Sequence, residues 1–390
     1  MRASAAPLVA PGAGQAVHQA VSEAGSPRQA AAELRRQLAG SSAAALVVFC
    51  SSEYAGPEFG RALRRCFPDI PLLGCTGSAL LTPRGYIGHG VMALALDARW
   101  FRVRTQLICR ASTSSLSAIQ EQVAPLLEIG AHARGRFGLL FVDGLCLAEE
   151  RLASALGAAL GAIPMIGGSA GDDFEFRDGH VLNATRWHRD AAVVAVVECD
   201  LPFQTFSNHH FLPGEDRLLV TDADPDHRTV TELNGEPAAA AYARALGLRQ
   251  EQLDLDVFAH NPLVVRIGQS IYVRSIQQVC GTPSGALRLT SAIDTGVVLR
   301  LGKRDDLLRM LEQELARVEA ELGPLDVVIG CDCALRFEEL LMDDRLPAAR
   351  DLIRRFRIGG LSTLGEQLHM MHLNQTFTGI AIGRPDRATP

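Results

Sequence analysis

The chain has 390 residues, a formal net charge of −6 and a pI near 6.0, with 47% hydrophobic and 21% charged residues. That length supports two or three domains with real cores, and the balance is that of a folded globular protein rather than a disordered one. The acidic balance and the 5% aromatic content argue against a nucleic-acid surface built on phosphate contacts or base stacking.

In chain order, residues 1–26 are rich in Ala, Gly, Pro and Ser and predict a mobile arm. The first fifteen carry one Arg and only a short, Pro-interrupted apolar run, which predicts no signal peptide. Ser26 as N-cap and Pro27 at the first helical position open a helix over Pro27–Leu38. The apolar run Ala44–Cys50 predicts a buried strand, Pro57–Phe67 a helix, PLLGCTGSALL a Gly-rich turn and Gly90–Asp97 a strand. The order then recurs as strand Phe137–Val142, alanine-rich helix Glu149–Leu160, turn PMIGGSAGDD and strand Ala191–Cys199. Leu46 aligns with Leu139 and Leu73 with Ile166, both at an offset of 93, and equal offsets at separate points signal an internal repeat. A looser third copy has strand Leu325–Gly330, helix Pro347–Phe356, turn RIGGLSTLGE and strand Thr376–Ile382.

Between the second and third copies the pattern changes. Gln204–Asp222 predicts strands joined by Pro-Gly and acidic turns, Thr229–Leu233 a short strand and Gly235–Leu246 a helix. Asn261–Val273 and Ala286–Asp294 predict an antiparallel meander, and Asp305–Leu322 an amphipathic helix with Leu307, Leu308, Leu311, Leu315 and Val318 on one stripe. The expected fold class is mixed α/β (α+β), with an N-terminal domain over 27–215 and a C-terminal domain over 216–386. The two halves are expected to meet at a cleft.

No G-x-S-x-G elbow, H-E-x-x-H, Walker loop or C-x-x-C-H is present, so an enzyme is not expected. The nine cysteines include no C-x-x-C and predict reduced thiols in the cytoplasm. No run approaches the ~20 apolar residues of a membrane span. Asp172 and Asp173 form a carboxylate pair whose plainer role is backbone capping, and Glu338 and Glu339 are expected on a solvated helix face. Phe356–Gly383 is the densest stretch. Its Gly359, Gly360, Ser362, Thr363, Glu366, Gln367 and Asn374 offer backbone N–H groups and polar side chains to a small ligand. Imidazole is a common ligand for haem iron and zinc, which makes His372, His260 and His210 candidates. His369 lies three residues before His372, with Met370 and Met371 between them. Cys331 and Cys333 end a strand with both thiols on one side, as half of a zinc site would.

TELNGEPAAAAYARALGL, HNPLVVRIGQSIYVRSIQ, VIGCDCALRFEE and GGLSTLGEQLHMMHLNQTFTGIAIG resemble the C-terminal half of FIST-domain proteins, bacterial sensory input modules. IPLLGCTGSALL and IPMIGGSAGDD resemble the matching N-terminal half, so the likeness covers about residues 30–385. A chain without an attached kinase or cyclase is similar to the stand-alone nitric-oxide-sensing haem proteins of this kind (NosP). That resemblance implies a pentacoordinate haem b with a histidine ligand and nitric oxide as its diatomic ligand. It also implies a partner histidine kinase of a two-component system and control of cyclic-di-GMP signalling and biofilm behaviour. His372 matches the M-H-x-N-Q-T stretch and is the first candidate for the axial ligand, with His260 and His210 as alternatives. The family also implies a second reading, a module for a small polar molecule such as an amino acid. A third is a zinc or enzymatic protein using Cys331 and Cys333. A homo-oligomer is among the assemblies expected.

Overall fold

The apolar runs form strands, with helices falling between them, three times over. A computed structural model describes residues 14–127, 133–172, 175–281 and 285–385. Each unit runs edge strand, helix, first core strand, helix, second core strand, hairpin, third core strand. In unit 1 these are Val17–Ser22, Pro27–Gln37, Ala43–Cys50, Pro57–Cys66, Leu72–Thr76, the hairpin Leu80–Thr82 with Gly85–Ile87, and Val91–Asp97. Unit 2 has Phe101–Cys109, Leu116–Leu127, Gly135–Asp143, Glu149–Leu160, Met165–Ala170, the hairpin Val181–Asn183 with Arg186–His188, and Ala191–Cys199. Unit 3 has Phe203–Asn208, Leu307–Leu322, Leu325–Cys333, two helices (Ala334–Met342 and Leu346–Arg355), Ile358–Thr363, the hairpin Glu366–Leu368 with Met371–Leu373, and Phe377–Gly383. Within each unit the first and second core strands are parallel, and the third lies antiparallel to the first.

Each hairpin leaves its own unit. That of unit 1 pairs with Ile358–Thr363, that of unit 2 with Leu72–Thr76, and that of unit 3 with Met165–Ala170. The three exchanges close a ring. Every sheet turns one face to a shared core holding Phe49, Leu73, Phe141, Ile166, Ile329 and Ile380, and Phe49 meets Phe141 edge-to-face at 5.3 Å. The helices cover the opposite faces. Core strands are thus buried on both sides, which is why they read as unbroken apolar runs.

The segments predicted as Gly-rich turns are the second core strands, a correction to the sequence reading. Their glycines allow close approach of the parallel neighbour. A Cβ on Gly74 would stand 1.8 Å from the Val48 carbonyl oxygen, and one on Gly360 1.8 Å from that of Gly330. Leu73 and Ile166 both face the shared core, where their partners Val47 and Leu139 correspond, while Leu46 faces the helices. The offset of 93 therefore holds for the second core strands and slips by one residue, to 92, at the first. Residues 17–22, assigned to a mobile arm, form the buried edge strand of unit 1, because their alternate side chains pack on the core; residues 1–13 of that arm lie outside the described residues.

Unit 3 carries an inserted domain between Phe203–Asn208 and Leu307–Leu322. It is an eight-stranded antiparallel sheet with helices Ala238–Ala245 and Leu255–His260 and its own core. The turn expected at Pro213 and Gly214 is an irregularity inside one strand, Phe211–Asp224, whose register against Val298–Arg304 shifts between Pro213 and Arg217. A bulge tolerates the missing N–H of proline. A division at 215/216 therefore falls within a continuous strand.

Candidate functional site

Ile358–Thr363 is buried along its whole length, so Gly359, Gly360, Ser362 and Thr363 lie inside a sheet. Glu366 is fully buried. Its Oε2 accepts from the Thr376 N–H at 3.1 Å and hydroxyl at 2.8 Å, and its Oε1 lies 2.7 Å from Thr363 Oγ1. Burial pushes its carboxyl up to about 8 in spite of these bonds, and Asp332 adds to the rise. At neutral pH the group holds its proton, and Thr363 Oγ1 also lies 3.4 Å from the Asp332 carbonyl. Gln367 Nε2 donates to Ser169 Oγ in unit 2 at 2.9 Å. Asn374 Oδ1 accepts from Ser291 Oγ in the inserted domain, and Gln375 spans Ser275 Oγ at 3.1 Å and the Ala259 carbonyl at 2.7 Å. The predicted polar residues are brought together, and they join unit 3 to unit 2 and to the inserted domain.

The histidines serve the same joints. His372 Nε2 lies 3.1 Å from the Thr290 carbonyl, which only accepts, so Nε2 carries the proton and Nδ1 accepts from Gln367 at 3.3 Å. His210 is buried, with Nε2 2.9 Å from Glu339 and Nδ1 3.3 Å from Arg336. Glu339, expected in solvent, is buried because its helix turns that face inward, and it completes this pair. Arg336 in turn holds Asp332 at 2.6 Å, and Asp332 accepts from Tyr86 at 2.5 Å. His260 Nδ1 lies 2.9 Å from the Asp256 carbonyl, and its Nε2 is 3.6 Å from Asp343. His369 and Met370 are exposed in the hairpin turn between Leu368 and Met371, so no helical turn aligns His369 with His372.

Cys331 packs in the shared core and Cys333 against Ala259 and Leu335; burial pushes both thiols well above their ordinary range. Among the described residues no group of three or more His, Cys, Asp and Glu side chains is placed to hold a metal ion. Asp172 accepts from the backbone N–H groups of Phe176, Arg177 and Asp178 at 2.7–2.8 Å, a capping role; Asp173 lies outside the described residues.

A cavity of about 540 Å³ opens where unit 2 meets the inserted domain. Unit 2 contributes Leu145, Glu149, Glu175 and Phe176, and the inserted domain His227, Arg228, Gln277, Gln278, Arg288 and Thr290. Phe176, Gln277, Thr290 and Leu364 also border a small apolar pocket of about 20 Å³, which reaches Leu255, Ile276 and Leu335. Arg228 Nη2 lies 2.6 Å from Glu149 and 2.5 Å from Glu150, and Nη1 donates to the Thr290 carbonyl at 3.0 Å. Burial opposes the Arg228 charge, but the two carboxylates raise its pKa regardless. Burial likewise opposes the Glu150 charge, and the positive charge beside it, with Arg228 2.5 Å away, outweighs it, holding the carboxyl down at about 2. Arg288 also lines the cavity and forms no ion pair among the described residues; its Nε is buried away from the cavity and has no hydrogen-bond partner among them.

Sequence reasoning missed this site. Glu149 and Glu150 look like acids favouring a helix N-terminus, and Arg228, at φ 52°, looks like a turn residue. Only the fold brings the three together.

A haem ligand needs a free imidazole lone pair aimed into an apolar cavity. None of His372, His260 and His210 lines either cavity, and His372 and His210 have both ring nitrogens engaged. The residues present do not fit haem.

Comparison with known families matches residues 44–236 to the FIST N domain and residues 238–369 to the FIST C domain, most of the chain between them. The chain is a FIST-family protein. FIST domains are sensory, ligand-binding modules rather than catalytic ones. The cavity of this FIST protein draws its walls from both matched regions. The protein is also 25% identical over 229 residues to an uncharacterized protein of Methanocaldococcus jannaschii; the match covers 55% of this chain and 43% of that relative, so the chain spans less than half of the relative's length. Among the described residues no helix is long and apolar enough to cross a membrane.

Proposed function

We propose that this FIST protein is a sensory module that binds a small zwitterionic metabolite of amino-acid size in the cleft between unit 2 and the inserted domain. The observation that carries the reading is the cavity of about 540 Å³, walled from both sides by groups of both charges and by amides. Arg228 is already neutralised by Glu149 and Glu150, which leaves Arg288, a lining residue with no ion pair among the described residues, as the cation for a ligand carboxylate. Glu175 and the Gln277 amide suit an ammonium group, and the apolar pocket beyond Phe176 takes a small side chain. A ligand touching both walls favours the arrangement in which they stand closest, and that bias is the signal. The partner that reads it is a signalling protein, for which a histidine kinase is our proposal.

The test is thermal melting of the full chain with each standard amino acid in turn, beside an absorbance titration with haem. A melting rise of about 2 °C with one or a few amino acids is the expected result. Uptake of haem with a Soret band, together with no shift from any amino acid, would overturn the reading in favour of a haem sensor for nitric oxide.

A further inference from the structure

The outer face of the inserted sheet carries an arrangement that the cleft does not explain. Arg217 on Phe211–Asp224 stands directly opposite Arg300 on Val298–Arg304, and Arg300 in turn faces Val264 on Leu263–Ile267. Arg266, two residues on, shares that face. Like charges directly opposite each other destabilise a sheet. Arg300 folds back and donates to the Gly214 and Glu215 carbonyls at 2.8 and 3.0 Å. Arg217 and Arg266 are exposed, and neither forms an ion pair among the described residues, although Glu215 and Asp216 adjoin Arg217 in the chain. Other exposed arginines, such as Arg244, Arg309 and Arg317, are paired with carboxylates.

Between these cations lies a groove of about 300 Å³ with Val264, Ile271 and Val298 in its walls. Val298 is 45% exposed, and Leu219, opposite it, is 39% exposed. The alternate residues Leu218, Val265 and Leu299 point the other way, into the domain core, so this face is not a misplaced interior. The chain carries a net charge of −6, and this face departs from it by setting three arginines around apolar side chains.

We propose that this face docks an acidic, extended segment of a partner protein in which carboxylates alternate with apolar residues. A strand-like segment presents alternate side chains to one side, so its spacing matches the rows of the sheet beneath it. A carboxylate set between Arg217 and Arg300 removes their repulsion, and a second one meets Arg266. Apolar side chains between them cover Val298 and Leu219. The negative charge of the whole chain opposes nucleic acid and anionic membranes, which present charge over a wide area.

The test uses the full chain and a fluorescein-labelled short peptide of alternating Glu and Leu, with a Lys–Leu peptide of equal length as control. Anisotropy should show binding of the acidic peptide only, weakening as salt rises. The double variant R217E/R266E should bind about tenfold more weakly. It sets a carboxylate opposite Arg300, so its melting temperature should stay within about 2 °C of the wild type, and R217Q/R266Q should fall between the two in affinity. Absence of binding to the wild type, or equal binding to the double variant, would overturn the proposal. So would tighter binding of phosphatidylserine vesicles or heparin that depends on the same arginines, since either would assign the face to another class of partner.

Discussion

Two polar regions meet at the Thr290 carbonyl, and they differ in kind. On one side the closing stretch buries Glu366, Gln367, His372 and Asn374 among mutual hydrogen bonds. On the other, the cleft leaves Arg288 without an ion pair among the described residues beside a cavity of about 540 Å³. A dense cluster of polar residues in a sequence thus marks, in this protein, the joint that holds unit 3 to unit 2 and to the inserted domain. The surface with unused bonding capacity draws on residues scattered from Glu149 to Thr290, with no motif among them.

The contrast is sharpened most by Gly360→Ala. Its Cβ would stand 1.8 Å from the Gly330 carbonyl oxygen, and a loss of about 4 kcal/mol or more, or failure to fold, is expected in denaturant melts. Glu366→Ala comes next. It leaves the Thr376 N–H without a partner and the Thr363 hydroxyl with only the long contact to the Asp332 carbonyl, beside a new cavity, at about 3 kcal/mol. His372→Ala should cost about 2 kcal/mol, because the Thr290 carbonyl keeps Arg228 while Gln367 loses an acceptor.

Glu366 also predicts a pH dependence. Its carboxyl titrates at about 8 when folded, against 4.5 ordinarily. Within that window the folded chain holds a proton that the unfolded chain has lost. The contribution is therefore full below pH 4.5, falls as pH rises, and levels off above about 8. Glu366→Gln should remove this slope from a plot of denaturation midpoint against pH while staying near wild-type stability at neutral pH. A steeper slope in the variant would contradict the assignment. The smallest stability effect belongs to the cleft, where Arg288→Ala should change stability by about 0.5 kcal/mol or less.

Much of the fold was legible because it repeats. The offset of 93 exposed two units, holding for Leu73 and Ile166 and missing by one residue for Leu46 and Leu139, and the stripe from Leu307 to Val318 marked the helix that opens the core of the third. The ring of exchanged hairpins was not legible, since pairs such as Leu361 with Leu80 join distant units through short strands with no periodic signal. Glycine misled in a definite way. Gly74 and Gly360 stand where backbones crowd, but a glycine in a sequence points first to a turn. Glu339 misled through helix orientation, for an acid on a helix looks solvated until the partner that buries it, His210, is placed against it. The candidate residues of the closing stretch do lie together in the fold, but the contacts they make were invisible. Ser169, Ser291 and Thr290, which bind them, come from other parts of the chain.

The central claim is that the cleft receives the ligand and the closing stretch supports it. The most direct measurement compares the ligand-induced rise in melting temperature of the wild type with that of Arg288→Ala and Glu366→Gln, using the amino acid that stabilises the wild type most. The account predicts that Arg288→Ala loses the rise and Glu366→Gln keeps it. A rise kept by Arg288→Ala and lost by Glu366→Gln would contradict it.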